Sequence, residues 1–152
     1  MKNSKKIMTA TLLIAAGYAG LVSAHTQSGA VGIANSGVAR TDVYAVTCSN
    51  DGSGAPAKLT VRIKDLAPVK APLVSTQLSK SGASSPLSTD ARDGDTLFSP
   101  FVTLARGAGV YTLRVNKSAS TVVGIETYIA DFHCQTAGGV HTGTSWRLIQ
   151  NG

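Results

Sequence analysis

The chain has 152 residues, of which 43% are hydrophobic, 14% charged and 5% aromatic, and its formal net charge is +6. A collagen-like chain would need glycine at roughly every third position, and a disordered chain would need more charge and fewer apolar residues. A coiled coil is excluded because no heptad repeat is present and Glu126 is the chain's one glutamate. The composition therefore predicts a globular protein.

The first 24 residues have the pattern of a secretory signal. Lysines near the N-terminus precede an apolar run at 7–22, and Val22-Ser23-Ala24 places small residues where signal peptidase cleaves. A membrane anchor is disfavoured because threonines and glycines interrupt a run that is already short for a spanning helix of about 20 residues. We predict a cleaved signal peptide at 1–24 and a single domain at 25–152.

Removal of this segment changes the charge argument. Three lysines leave with it, so the net charge falls from +6 to +3, and the remaining basic residues are dispersed. A nucleic-acid interface requires a clustered basic surface, so none is predicted. No later apolar stretch approaches membrane length. The sequence predicts a secreted or periplasmic protein with no membrane span after processing.

Export makes the two cysteines interpretable. In an oxidising compartment, Cys48 and Cys134 are predicted to form one disulfide, because they are the only pair available. A thiol pair used for redox or metal chemistry is the alternative, but no Cys-x-x-Cys spacing supports it. The bridge is predicted to be structural.

The chain from residue 41 onward alternates apolar and polar residues in short runs bounded by Gly, Pro and Asn. Alternation with β-branched and aromatic residues is typical of half-buried strands, and no window has a helical period. The residues before 41 and those at 79–96 are predicted loops. The predicted strands lie at 41–48, 59–63, 73–78, 98–104, 109–115, 122–134 and around Trp146.

Seven or eight such strands predict an all-β fold, a two-layer antiparallel β-sandwich of jelly-roll or immunoglobulin-like type. Tyr128, Ala130, Phe132 and Cys134 are predicted to face the core, which places the intervening His133 on the opposite face. Trp146 could stack on a sugar ring, but a single Trp in an apolar strand is more often buried, so Trp146 is predicted to lie in the core.

The runs Thr41-Asp42-Val43-Tyr44-Ala45-Val46, Leu59-Thr60-Val61 and Gly107 to Val115, followed by a strand containing Tyr128, resemble the bacterial pre-peptidase C-terminal domain. The resemblance covers residues 40–134. It implies a secreted, noncatalytic β-sandwich of the kind appended to exported enzymes. It also implies matrix or polysaccharide binding and, in some members, calcium.

Cleavage after Ala24 would make His25 the N-terminal residue. The α-amine and the imidazole Nδ1 of a terminal histidine can chelate one metal ion, and a third nitrogen from His133 or His141 would complete a site suited to Cu(II). Such a site is similar to those of exported copper carriers and copper-dependent polysaccharide monooxygenases. The alternative is a frayed terminus and two ordinary surface histidines.

The turn between His133 and His141 decides whether these two histidines lie together. A two-residue Gly138-Gly139 turn places them on opposite faces, whereas a loop at 138–140 places them on the same face. Because Gly-Gly is typical of two-residue hairpins, the opposite-face arrangement is predicted, with His25 and a single partner binding copper.

A weaker hypothesis places calcium in the loop that contains Asp90, Asp93 and Asp95. Three carboxylates within six residues could supply oxygen ligands, although the spacing matches no EF-hand and Asp and Gly are usual in solvated turns.

No catalytic motif is present: the sequence lacks a G-x-S-x-G elbow, an H-E-x-x-H motif and a phosphate-binding glycine loop. The sequence therefore predicts a non-catalytic extracytoplasmic binding protein, with copper as its ligand. The alternative is a structural or adhesive surface protein that binds polysaccharide or calcium, or self-associates through its sheet edges into filaments. An oxidative copper enzyme is a third, weaker hypothesis.

Overall fold

The computed structural model describes residues 25–67 and 71–152, and the predicted signal peptide at 1–24 lies outside these residues. The described part is all-β and contains no helix; in particular, none that could span a bilayer. Its strands are β1 (His25–Val31), β2 (Arg40–Ser49), β3 (Lys58–Asp65), β4 (Val74–Lys80), β5 (Ala83–Ser84), β6 (Ser88–Thr89), β7 (Val102–Leu104), β8 (Gly109–Lys117), β9 (Glu126–Gln135) and β10 (Gly143–Gln150).

The strands form two antiparallel sheets that pack face to face, which confirms the predicted sandwich. The four-stranded sheet has the order β1-β9-β3-β7, and the six-stranded sheet has the order β10-β2-β8-β4-β5, with β6 also paired to β4. The alternating residues of the central strands meet between the sheets. Completely buried side chains there include Val46, Leu59, Val61, Ile63, Tyr111, Leu113, Val115 and Phe132.

The disulfide connects the two sheets. Cys48 lies on β2 of the six-stranded sheet and Cys134 on β9 of the four-stranded sheet, with their Cα atoms 5.4 Å apart. Both side chains belong to the core faces, as the alternation predicts. A disulfide in an all-β domain is compatible with an extracytoplasmic location.

Three predicted segments differ from the structure. The Gly- and Ser-rich lead forms β1, and the predicted loop at 79–96 contains the two-residue strands β5 and β6. The predicted strand at 98–104 is shortened to β7. Pro100 has no backbone N–H and cannot donate a hydrogen bond between strands. The N–H of Ser99 donates to the Ile63 carbonyl (2.7 Å), but this bond lies outside the regular β3–β7 ladder. The predicted core residue Trp146 is 40% exposed on the edge strand β10.

Candidate functional site

The hairpin after β9 brings His133 and His141 to the same face of the four-stranded sheet. Gln135 pairs with His141, and the Thr136 N–H donates to the Val140 carbonyl (2.8 Å), so the loop contains three residues, 137–139. The predicted two-residue turn is wrong, and so is the opposite-face arrangement that followed from it. Gly139 has φ +86°, the left-handed conformation that closes a three-residue hairpin loop.

The two imidazole rings are in direct contact. Their centroids lie 4.5 Å apart and their planes are inclined by 17°, so the rings are stacked. His133 is buried, with 7% of its surface exposed, whereas His141 is half-buried. The more exposed ring therefore covers the buried one.

Asp131 also contacts the His133 ring. Its Oδ1 lies 2.7 Å from Nε2 of His133, although the N–H does not point straight at the oxygen. Because two lone pairs would repel at this distance, we assign the ring proton to Nε2. Nδ1 then carries the free lone pair, and this atom is buried without a hydrogen-bond partner.

Arg62 fixes the Asp131 carboxylate from β3. Its Nε donates to Oδ2 of Asp131 at 2.7 Å, directly across the β3–β9 ladder. The guanidinium also lies over the rings of Phe98 and Phe101, 4.3 and 4.5 Å from their centroids. These contacts form a continuous row on the outer face of the sheet: two aromatic rings, a guanidinium, a carboxylate and two imidazoles.

Burial favours the neutral form of His133. Burial lowers the pKa of His133 below its ordinary value, and the charges of His141 and His25 lower it further, while Asp131 opposes the shift. A neutral imidazole with one free nitrogen is the form that binds a metal ion.

His25 begins β1 at the same end of the sheet. It pairs with Phe132, the residue next to His133. Directly paired residues share a face, so the His25 side chain lies on the Phe132 side and the His133 side chain on the other. The structure therefore brings His133 and His141 together and places His25 beside them on the opposite face.

Within residues 25–67 and 71–152, no three His, Cys, Asp or Glu side chains form a ready-made metal site. The orientation of the stacked imidazoles explains why they do not form one. A metal ion lies in the plane of each imidazole that binds it, and two nearly parallel planes do not meet at one ion. The His141 ring would have to turn before both histidines could bind the same metal.

Two of the three predicted calcium residues, Asp90 and Asp95, accept hydrogen bonds from backbone N–H groups. Asp90 is buried, and its Oδ2 accepts the N–H of Asp65 (2.8 Å), while Asp95 accepts the N–H of Leu97 (2.7 Å). These carboxylates thus bind backbone groups, which is the ordinary use of Asp in turns.

Asp65 is a second buried acid in this region. It is completely buried, and its Oδ2 accepts the N–H of Val74 (2.7 Å). Burial, together with the neighbouring charges of Asp93, Glu126 and Asp90, raises the pKa of Asp65 to about 7, although the Val74 hydrogen bond opposes the shift.

The sequence interpretation missed Asp131 and Arg62 as parts of the histidine site, and Asp65 as a neighbour of the Asp loop. A signal for Asp131 was present, because it lies two positions before His133 and therefore on the same face of the same strand. No local signal pairs Arg62 with Asp131, since the ladder joins residues far apart in the chain.

No protein-family model, curated protein or solved structure matches this chain. The resemblance to the pre-peptidase C-terminal domain therefore stays a prediction.

Proposed function

We propose that this protein is an extracytoplasmic, non-catalytic copper-binding protein whose metal ligands are His133 and His141, with His25 as a third ligand after removal of the signal peptide. One observation carries the proposal: Nδ1 of His133, the nitrogen that we assign as unprotonated, is buried without a hydrogen-bond partner and lies beside a second imidazole.

The Asp131 contact supports this proposal on chemical grounds. Metal-binding histidines usually donate their other ring N–H to a carboxylate, which fixes the tautomer and raises the basicity of the ligating nitrogen. The Asp131 Oδ1 lies 2.7 Å from Nε2 of His133, close enough to take this role after a small adjustment, and Arg62 holds Asp131 in place. Two or three nitrogen ligands favour Cu(II) over the hard cations, which prefer oxygen.

A metal ion would also change the packing of the pair. His141, the more exposed ring, would turn out of the stack so that its lone pair and that of His133 Nδ1 meet at one ion. After cleavage, the α-amine of His25 would lie next to Phe132 on the neighbouring strand. The His25 imidazole lies on the Phe132 side of the sheet, so it would have to turn to the outer face before the amine and this imidazole could supply the remaining nitrogens.

Copper titration of the processed protein tests the proposal. We expect about one equivalent of Cu(II), and we expect His133→Gln and His141→Gln each to weaken binding at least tenfold. Asp131→Asn should weaken it by about 10- to 100-fold, as for other residues that orient a ligand. Asp95→Asn, which lies in the Asp loop, is the matched carboxylate control and should have no effect.

The role of His25 is tested separately, by adding Met before His25 or by changing His25→Ala. Loss of tight binding in both variants would support the terminal chelate. Unchanged binding in both would remove His25 from the site. If the His133 and His141 variants bind copper like the unaltered protein, the proposed site is wrong.

A further inference from the structure

The irregular segment that leads into β7 contacts the proposed copper site, although none of its residues is a proposed metal ligand. The β3–β7 ladder ends at the Val61–Val102 pair, one position before Arg62. Beyond this pair, Ser99 fixes the chain to β3: its N–H donates to the Ile63 carbonyl (2.7 Å), and its Oγ accepts the Ile63 N–H (3.0 Å). The segment therefore runs beside Arg62 without forming a regular strand there.

This anchorage places two phenylalanine rings against one guanidinium. Cζ of Arg62 lies 4.3 Å from the ring centroid of Phe98 and 4.5 Å from that of Phe101. A guanidinium at such distances is attracted to the ring faces and stacks on them, which restricts its rotation. Phe101 is 49% exposed and Phe98 is half-buried, and neither ring belongs to the hydrophobic core. Core packing therefore does not account for the two rings.

The contact between Arg62 and Asp131 consists of a single hydrogen bond. An arginine that faces a carboxylate frequently donates to both oxygens. Here Nε of Arg62 donates to Oδ2 at 2.7 Å, and Oδ1 accepts nothing from the guanidinium. Oδ1 instead lies 2.7 Å from Nε2 of His133. The carboxylate is thus divided, with one oxygen for the arginine and one for the imidazole.

We propose that Phe98 and Phe101, which we call the aromatic clamp, are positioning residues for the copper site. They hold the Arg62 guanidinium where it reaches only one oxygen of Asp131. A guanidinium released from the clamp would turn and bind both oxygens, and Asp131 would then be lost to the Nε2 proton of His133. This inference rests on the proposed function, because it explains how residues outside the site set the copper affinity of His133 Nδ1.

Nitrogen-15 NMR of the histidine rings tests the clamp in the metal-free protein at pH 8. Phe98→Leu and Phe101→Leu each keep an apolar side chain but remove a ring face. We expect each variant to move His133 from protonation on Nε2 to a mixture of both tautomers. In a Cu(II) titration, each should weaken binding about three- to tenfold, which is less than the loss expected for Asp131→Asn.

A double-mutant cycle separates positioning from a general structural role. With Arg62→Met in place, no guanidinium remains to compete for Asp131. Phe101→Leu should then have no further effect on the tautomer of His133 or on copper affinity. Equal effects of Phe101→Leu with and without Arg62 would overturn the inference.

Lys64→Gln is the matched control. Nζ of Lys64 also lies over the Phe98 ring, 4.9 Å from its centroid, but Lys64 pairs with Ile129 across the ladder and not with Asp131. This variant should leave both the tautomer and the copper affinity unchanged. If copper binds through His133 but neither leucine variant changes the two readouts, the clamp is wrong and the proposed function stands. A protein that binds no copper would overturn both.

Discussion

At the scale of single residues, His133 and Asp65 are buried groups whose shifted pKa values should make the stability depend on pH between about pH 4 and pH 7. Burial lowers the pKa of His133, and burial together with neighbouring acids raises the pKa of Asp65 to about 7. One pKa is lowered and the other is raised, so in both residues the folded state favours the neutral form. Each shift therefore predicts its own dependence of folding stability on pH.

For His133, we expect the free energy of unfolding to fall as the pH falls below about 6.5. The unfolded imidazole takes up a proton in this range while the folded one does not, so the unfolded state is favoured. His133→Gln should flatten this part of the profile, measured by denaturant unfolding between pH 5 and pH 8. An identical slope in the variant would contradict the assignment.

For Asp65, the stability should fall as the pH rises from about 4 to about 7, because the unfolded carboxyl loses its proton first. Above pH 7, the free energy of unfolding should be lower by about 4 kcal/mol at most. Asp65→Asn keeps an acceptor for the Val74 N–H. Its stability relative to the unaltered protein should be higher at pH 8 than at pH 5. Asp95→Asn is the control, and an equal response there would refute the prediction.

At the scale of elements, the hairpin between β9 and β10 positions the site. Its third loop residue, Gly139, has φ +86°, and an added Cβ would meet nothing within 4 Å. The constraint at this position is therefore backbone conformation and not space. His141 lies two residues later, so the same turn that reverses the chain also sets the stacking partner of His133.

We expect Gly139→Ala to destabilise the protein by about 1–2 kcal/mol, the cost of a left-handed conformation for a residue with a Cβ. Gly138→Ala is the matched control: this neighbour has no positive φ, and its Cβ would meet only Thr136 Oγ1 at 3.9 Å. Thermal unfolding of both variants measures the difference. Equal losses would show that the loop conformation does not matter.

The long strands could be predicted from the sequence because each alternates between a buried and an exposed face. β2, β3, β8 and β9 were found in this way, including the inward Tyr128 and Cys134. β1 was missed because it overlaps a segment, 28–37, that is rich in Gly and Ser and so resembles a loop. Gly29 is required in the strand, since a Cβ there would overlap the Tyr128 ring.

The candidate site could be predicted only in part. The sequence placed His133 on the outer face. The position of His141 could not be predicted in the same way, because Gly138-Gly139 suits loops of either two or three residues. The choice between these registers is made by tertiary packing. Arg62 and Asp131 meet through a ladder between strands 69 residues apart, which no local pattern specifies.

At the scale of the whole molecule, the disulfide ties the two sheets together at one end of the sandwich. Tyr44 and Tyr128, whose hydroxyl oxygens lie 2.6 Å apart, join the same two strands further along the core, and Asp42 accepts a hydrogen bond from Tyr128. β2 and β9 are therefore linked across the core by the disulfide and by two side-chain hydrogen bonds.

We expect replacement of Cys48 and Cys134 by serine to lower the free energy of unfolding by about 2–5 kcal/mol, because the bridge closes a loop of 86 residues in the unfolded chain. Urea unfolding of the double variant under oxidising conditions measures the loss. A change below about 1 kcal/mol would contradict a structural role.

The most direct test of the copper proposal is NMR of the histidine rings with nitrogen-15 labelling. In the metal-free protein, the account predicts that His133 carries its proton on Nε2 and that Nδ1 is bare. It also predicts that substoichiometric Cu(II) broadens the ring signals of His133 and His141 before any others. A proton on Nδ1 of His133, or ring signals that copper leaves unchanged, would contradict it.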